Sequence, residues 1–262
     1  MLRFFFLLYG VAAHVAFLAV FAYMAGFVGN LFVPKTVDSG EPGPVAEALL
    51  INVGLLAIFG LQHSVMARSW FKRVWTRFVP EPIERSTYVW ISNALLALAM
   101  WQWRPIDLVV WDVRTPGLRE ALHALFAAGW LLIPLASLMI DHLDLFGTRQ
   151  VWLHFLGRRY TVPAFRTPLL YSWIRHPLYV GWFVAFWATP TMTVGHLLFA
   201  GVLTAYILIA VRIEERDLVQ LYGEQYESYR RRVPAFIPFL AGGSKPQPAA
   251  PGGAAVPAAD EA

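Results

Sequence analysis

LYVGWFVAFWATPTMTVGHLLFAGVLTAYILIAV, residues 178–211, contains no Asp, Glu, Lys or Arg. An α-helix rises 1.5 Å per residue, so about 20 apolar residues cross the roughly 30 Å hydrocarbon core of a bilayer. This block is too long for one simple crossing. Thr189-Pro190-Thr191 stands near its middle, followed by Gly195-His196. Proline removes a helix hydrogen bond and biases the residue before it away from helix. The pattern predicts two helices, about 178–189 and 195–212, closed as a tight hairpin, with a single kinked helix as the alternative.

Four further apolar blocks lie upstream: Phe4–Val28, Val45–Met66, Tyr88–Trp103 and Leu118–Ile140. Each is near crossing length and carries at most two Asp, Glu, Lys or Arg residues. With 58% hydrophobic residues, 15% charged and 11 tryptophans, the chain is far more apolar than a soluble domain. The expected class is an all-α polytopic membrane bundle of about six crossings, the last two forming the hairpin. The first block is longer than a signal-peptide core and lacks a small-residue cleavage site, so it is read as the first helix.

Arginine and lysine orient the chain. Arg3, then Arg68, Lys72, Arg73, Arg77 and Arg85, then Arg149, Arg158, Arg159, Arg166 and Arg175 share one side with the basic C-terminal segment. Only Lys35, Arg104, Arg114 and Arg119 fall on the other. The positive-inside bias predicts both termini and the 141–176 loop in the cytoplasm, on the inner membrane if the chain is bacterial. The net charge of +4 follows from this asymmetry and does not suggest nucleic acid. The absence of cysteine excludes disulfides, thiolate metal sites and a covalent cysteine intermediate. Asp141-His142-Leu-Asp144 could ligate a metal, but no second cluster completes a site, and none is expected. The sequence does not specify an oligomeric state.

The chain divides into a four-helix membrane region (1–140), a core of loop, hairpin and C-terminal helix (141–238), and a Pro/Ala/Gly-rich tail (239–262) expected to be disordered. The 141–176 loop shows no clear secondary structure of its own. Its aromatic content reads as a cap on the cytoplasmic mouth. Glu214–Arg232 reads as one amphipathic helix, with Leu218, Leu221, Tyr222, Tyr226 and Tyr229 as its apolar stripe. It is either a surface helix or a lid.

Chemistry concentrates on both sides of the hairpin. Tyr171, Arg175, His176 and Pro177 precede it, Leu178 and Tyr179 open it, and Glu214-Glu215 follow it. Ionisable groups at the ends of membrane helices usually face a cavity. Proline suits the first helical turn, and a helix N-terminus suits a carboxylate. Arg175 adds a fork of donors for the same group. The two glutamates can accept from an ammonium or ribose hydroxyls, and Tyr171 and Tyr179 offer ring faces to a cation or adenine. Together these groups suit a sulfonium-bearing, zwitterionic nucleoside such as S-adenosylmethionine. The plainer alternative makes Arg175-His176 ordinary positive-inside charge and the glutamates a solvated pair. His63, within Gln62-His63-Ser64, reads as a packed polar cluster rather than a ligand. His14, His123, His154 and His196 read as structural or interfacial.

Residues Tyr171 to Pro234 resemble the isoprenylcysteine carboxyl methyltransferase superfamily of integral membrane methyltransferases. The resemblance rests on Arg175-His176-Pro177-x-Tyr179-x-Gly181, Glu214-Glu215, and Tyr222-Gly223-Glu224-x-Tyr226-x-x-Tyr229-(x)3-Val233-Pro234. The segments 26–35, 62–68, 84–89, 144–151 and 186–196 look like its bacterial methanethiol S-methyltransferase branch. NnrU-like proteins share the middle motifs. The resemblance implies S-adenosyl-L-methionine bound on the cytoplasmic side and a small volatile thiol as acceptor, within a lipid bilayer. It implies cofactor contacts at Tyr171, His176, Pro177, Leu178, Tyr179, Glu214 and Glu215, and catalytic roles for His176, Arg175 and Glu214. One departure stands out: the family's substrate arginine falls at Ala210 here, with Arg212 two residues away. Another acceptor on the same fold, or a non-enzymatic membrane protein, are the alternatives.

Overall fold

The computed structural model describes residues 1–238, so the expected disordered tail lies outside the described residues. Among the described residues the regular secondary structure is helical apart from two short strands. The elements are α1 (Leu2–Gly29), α2 (Val45–Met66), α3 (Ser69–Trp75), α4 (Glu84–Gln102), β1 (Val109–Asp112), α5 (Leu118–Ile140), α6 (His142–Leu145), α7 (Thr148–Phe155), α8 (Pro177–Trp187), β2 (Thr191–Thr193), α9 (Val194–Tyr222) and α10 (Glu224–Arg232). Helices α1, α2, α5 and α9 are long and apolar enough to cross a membrane. The fold is an all-α polytopic bundle. Helix α4, opening on Glu84-Arg85, packs between α1 and α2, and α8 has 11 residues.

One continuous apolar core runs through the bundle, from Phe27 on α1 and Leu56 on α2 to Trp103, Trp130, Phe186 and Phe199. Its centre is a set of edge-to-face rings: Trp103 and Phe199 lie 5.6 Å apart, and Phe199 and Phe186 lie 5.5 Å apart. The closest helix crossing joins α5 to α8. A Cβ on Gly129 would lie 2.6 Å from the Ala185 nitrogen, and one on Gly181 would lie 2.8 Å from Ile133 Cγ1. Small residues permit this approach, which is a common means of packing membrane helices.

The hairpin is present, with α8 and α9 joined through β2. Sequence reading did not anticipate that β2 pairs antiparallel with β1, Val109 opposite Thr193 and Asp112 opposite Thr191. Two further expectations need correction. The 141–176 segment has its own structure: α6, α7 and a 3-10 turn at Leu169–Ser172. Asp144 fastens it, accepting from Arg85 at 2.6 Å, Tyr160 at 3.1 Å and Arg149 at 3.2 Å. Glu214–Arg232 is not one helix. No glycine or proline lies between Val202 and Tyr222, so α9 continues through the charged residues 212–217. It ends at Gly223, whose positive φ of 55° closes the helix. The expected stripe divides with it: Tyr226 and Tyr229 are buried, whereas Leu221 is exposed.

Candidate active site

His176 is the N-cap of α8, and Pro177 fills the first helical position, where its missing N–H leaves nothing unpaired. The approach to this turn is held as an extended strip. The Arg175 and His176 amides donate to the Pro234 and Ala235 carbonyls at 2.9 and 3.0 Å. Tyr229 donates to the Tyr171 carbonyl at 2.6 Å, and Phe165 packs against Tyr222, Tyr226 and Tyr229 with centroids 5.2–5.9 Å apart. Helix α10 is thus docked on the cap and the His176 strip, rather than lying free on a surface.

Positions 176 and 179, three apart, share one face of the first turn of α8. Opposite them, consecutive residues of α9 point in directions about 100° apart. The spacing matches. Tyr179 donates to Glu214 Oε2 at 2.9 Å, while His176 Nε2 lies 3.0 Å from Glu215 Oε1. Arg175 Nε and Nη2 reach the same Glu215 oxygen at 2.8 and 2.7 Å. Two sites 39 residues apart in the chain are therefore one junction.

Several expected residues have specific positions here. The Arg175 guanidinium is fully engaged, since Nη1 also donates to the Arg230 and Val233 carbonyls. It braces the C-terminal segment instead of offering a free fork. Leu178 packs partly buried against the core. The Tyr171 hydroxyl donates to the Ala136 carbonyl at 3.4 Å. Burial, with the Glu214 charge, pushes that phenol above its ordinary value. His176 is sealed, with 5% of its side chain exposed. Among the described residues its Nδ1 and the Glu214 Oε1 make no hydrogen bond, so an acceptor nitrogen and a carboxylate oxygen remain open beside aromatic rings. That donor and acceptor set fits an ammonium- or hydroxyl-bearing nucleoside.

The sequence reading missed two features around this junction. Arg68, at the end of α2, donates to Asp217 at 2.6 Å and so ties α2 to α9 one turn beyond Glu214. Its signal was an i+3 acidic residue after Glu214, which is too weak to single out alone. The Gln62-His63-Ser64 cluster reaches across to Tyr88 on α4 and Tyr206 on α9. By contrast, Arg212 lies exposed on α9. His142 pairs with His14 and Ser137 at 2.9 and 2.7 Å.

A helical membrane bundle with this RHPxY turn set against a glutamate pair defines an integral membrane methyltransferase class, and residues 145–220 match the isoprenylcysteine carboxyl methyltransferase family. Along its length the chain is 52% identical to a methanethiol S-methyltransferase of Crocosphaera subtropica, over 91% of this chain and 93% of that protein. It is 51% identical to a methanethiol S-methyltransferase of Mycobacterium tuberculosis, over 91% of this chain and 98% of that one. Nurim of Bos taurus is more distant, at 34% over 65% of this chain and 68% of its own. The chain belongs to the family of the methanethiol S-methyltransferases. No solved structure matches it.

Proposed function

We propose that the protein transfers the methyl group of S-adenosylmethionine to methanethiol, giving dimethyl sulfide, at the cytoplasmic face of a bacterial inner membrane. The observation that carries this reading is the His176–Glu215 and Tyr179–Glu214 junction. It occurs in a chain about half identical, over nearly its whole length, to proteins of that name. The cytoplasmic orientation rests on the arginine-rich side, which carries the junction.

When bound, the sulfonium supplies an electrophilic methyl group. His176 Nδ1 and Glu214 Oε1 are the free groups for its polar atoms, and Tyr171 and Tyr179 are the rings beside it. Glu215 orients His176 through Nε2, so the imidazole presents Nδ1. Arg175 holds Glu215 and the C-terminal segment in place. An in-line displacement gains most from holding both partners in near-attack geometry, and a sealed, multiply braced junction supplies that. A small apolar thiol can enter from lipid.

The test is headspace chromatography of cells given methanethiol, with Glu214→Ala as the inactive control. Calorimetry with S-adenosylmethionine on purified protein accompanies it. Cofactor binding with dimethyl sulfide output supports the reading. No binding ends it, and binding with methylation of a carboxylate or amine acceptor instead transfers the assignment to that acceptor.

A further inference from the structure

His63 lies on α2 among three rings, Tyr88 at 5.0 Å, Phe59 at 5.3 Å and Tyr206 at 6.4 Å. Its hydrogen bonds have a direction that can be worked out. Gln62 Nε2 is 3.1 Å from Met66 Sδ, and a thioether only accepts, so the amide nitrogen is on that side. Gln62 Oε1 is therefore an acceptor, and Ser92 donates to it at 3.2 Å. The Ser92 proton is then spent, so its 3.3 Å contact with His63 Nδ1 requires Nδ1 to be the donor. Tyr88 is compatible with this assignment: its oxygen lies 2.8 Å from Nδ1 and can accept there while its own proton reaches the His63 carbonyl at 3.4 Å. A neutral imidazole protonated at Nδ1 carries its lone pair on Nε2. Among the described residues that nitrogen makes no hydrogen bond.

The cluster reaches α9 on the way to the junction: Ser64 donates to the Tyr206 hydroxyl at 3.3 Å, and Tyr206 stands about two helical turns before Glu214, on the same face. We propose that His63 is the catalytic base for the acceptor: Nε2 takes the S–H proton of the bound thiol before methyl transfer. This rests on the methyltransferase reading above. The thiol loses its proton to Nε2, leaving a thiolate beside an imidazolium. The thiolate sulfur then bonds to the donor's methyl carbon while the methyl–sulfonium bond breaks, its electron pair returning to the donor sulfur. Phe59, Tyr88 and Tyr206 form apolar walls for a small alkyl thiol, and the Tyr88 and Ser92 oxygens stabilise the imidazolium at Nδ1. The titratable groups packed on His63 are Tyr88 from α4 and Tyr206 from α9, and Arg68 comes next along the chain, donating to the Ser64 carbonyl at 3.1 Å.

The experiment compares wild type, His63→Gln and Tyr88→Phe. Cofactor affinity is measured by calorimetry, methyl transfer across pH by headspace chromatography, and the state of bound thiol by ultraviolet thiolate absorbance with the demethylated nucleoside present. The expected result for His63→Gln is unchanged cofactor affinity and no thiolate band. Its kcat falls about 100-fold at neutral pH, the scale of a lost general base, and recovers as the medium ionises the thiol. Methaneselenol, already ionised, should restore most of the lost rate. Tyr88→Phe should weaken the band and the rate less. A His63→Gln enzyme with wild-type rate and pH profile overturns the inference while leaving the methyltransferase reading intact. A wild-type protein that neither binds cofactor nor makes dimethyl sulfide overturns that underlying reading. If His63→Gln loses cofactor affinity, the wild-type spectrum decides, and bound thiol that stays un-ionised overturns the inference.

Discussion

Glu215→Ala removes the acceptor on which the junction converges. One oxygen of Glu215 serves two nitrogens of Arg175 and one of His176, with 12%, 14% and 5% of the Arg175, Glu215 and His176 side chains exposed. Removing one partner of a buried ion pair costs about 3–5 kcal/mol, because the other charge stays buried and unpaired. Arg175 keeps the Arg230 and Val233 carbonyls, which places the cost at the lower end, about 3 kcal/mol. Glu215→Gln retains an acceptor oxygen in the same place but loses the charge. Charge-assisted hydrogen bonds are about twice as strong as neutral ones, so its cost is about half that of alanine. At roughly 2–4 °C per kcal/mol for a chain of this size, alanine lowers the melting temperature by about 6–12 °C and glutamine by about 3–6 °C. Tryptophan-fluorescence melting of detergent-solubilised protein measures the difference. Calorimetry should show cofactor affinity falling in the same order, because His176 loses its orientation. Alanine melting like wild type, or glutamine faring worse than alanine, would refute the reasoning.

Other perturbations test the scaffold. Gly181→Ala drives a methyl group to 2.8 Å from Ile133 Cγ1 and 3.1 Å from the Ile133 nitrogen, an overpacking that should cost about 1–3 kcal/mol in the same melting assay. Unchanged melting would mean that α5 and α8 are farther apart. Asp144→Asn leaves Arg85 and Arg149 without their shared carboxylate, and limited proteolysis should then cut the cap between residues 156 and 168 faster than in wild type. Burial holds the His142 imidazole below its ordinary value of 6.5. The unfolded chain therefore binds this proton first as pH falls. The stabilisation is present above 6.5 and is lost as pH falls toward the folded value. Melting temperatures between about pH 7.5 and 5 should decline less in His142→Gln than in wild type, and parallel curves would count against it.

The apolar blocks made the bundle and the hairpin legible, because hydrocarbon thickness sets helix length almost regardless of tertiary contacts. The junction was legible as residue types, since ionisable groups beside membrane helices are costly wherever they sit. Partner choice was not. Arg175 looked free to bind a ligand because nothing local indicates that the chain returns through Val233–Ala235 to satisfy it. His63 looked like packing because its meaning depends on Ser92 and Tyr88, about 25 to 29 residues away on another helix. Helix α9 was expected to end near residue 212 because charge after a long apolar run resembles an ending. Charge alone does not end a helix, and the first glycine or proline after Arg212 is Gly223.

The short α8 and the unforeseen strands have a common cause. Trp187 donates to Thr204 and His176 meets Glu215, so the ends of α8 fix its register against α9. Eleven residues on each helix separate those contacts, about 16 Å of antiparallel packing. The first turns of α9 meet only the end of α8, where His196 Nε2 lies 2.9 Å from the Phe186 carbonyl and Phe199 packs on Phe186, and the chain returns beside them as the extended 188–193 segment. Extended backbone within a membrane bundle has to satisfy its polar groups on other protein segments. Here β1 does so by pairing with β2. Trp111 Nε1 donates to the Thr189 carbonyl, and the Val113 amide donates to that of Pro190. A full-length α8 would need no such cover, but its N-terminus would move past Glu215. The Pro190 break and the strand pair are thus what bring the N-cap histidine level with the glutamates.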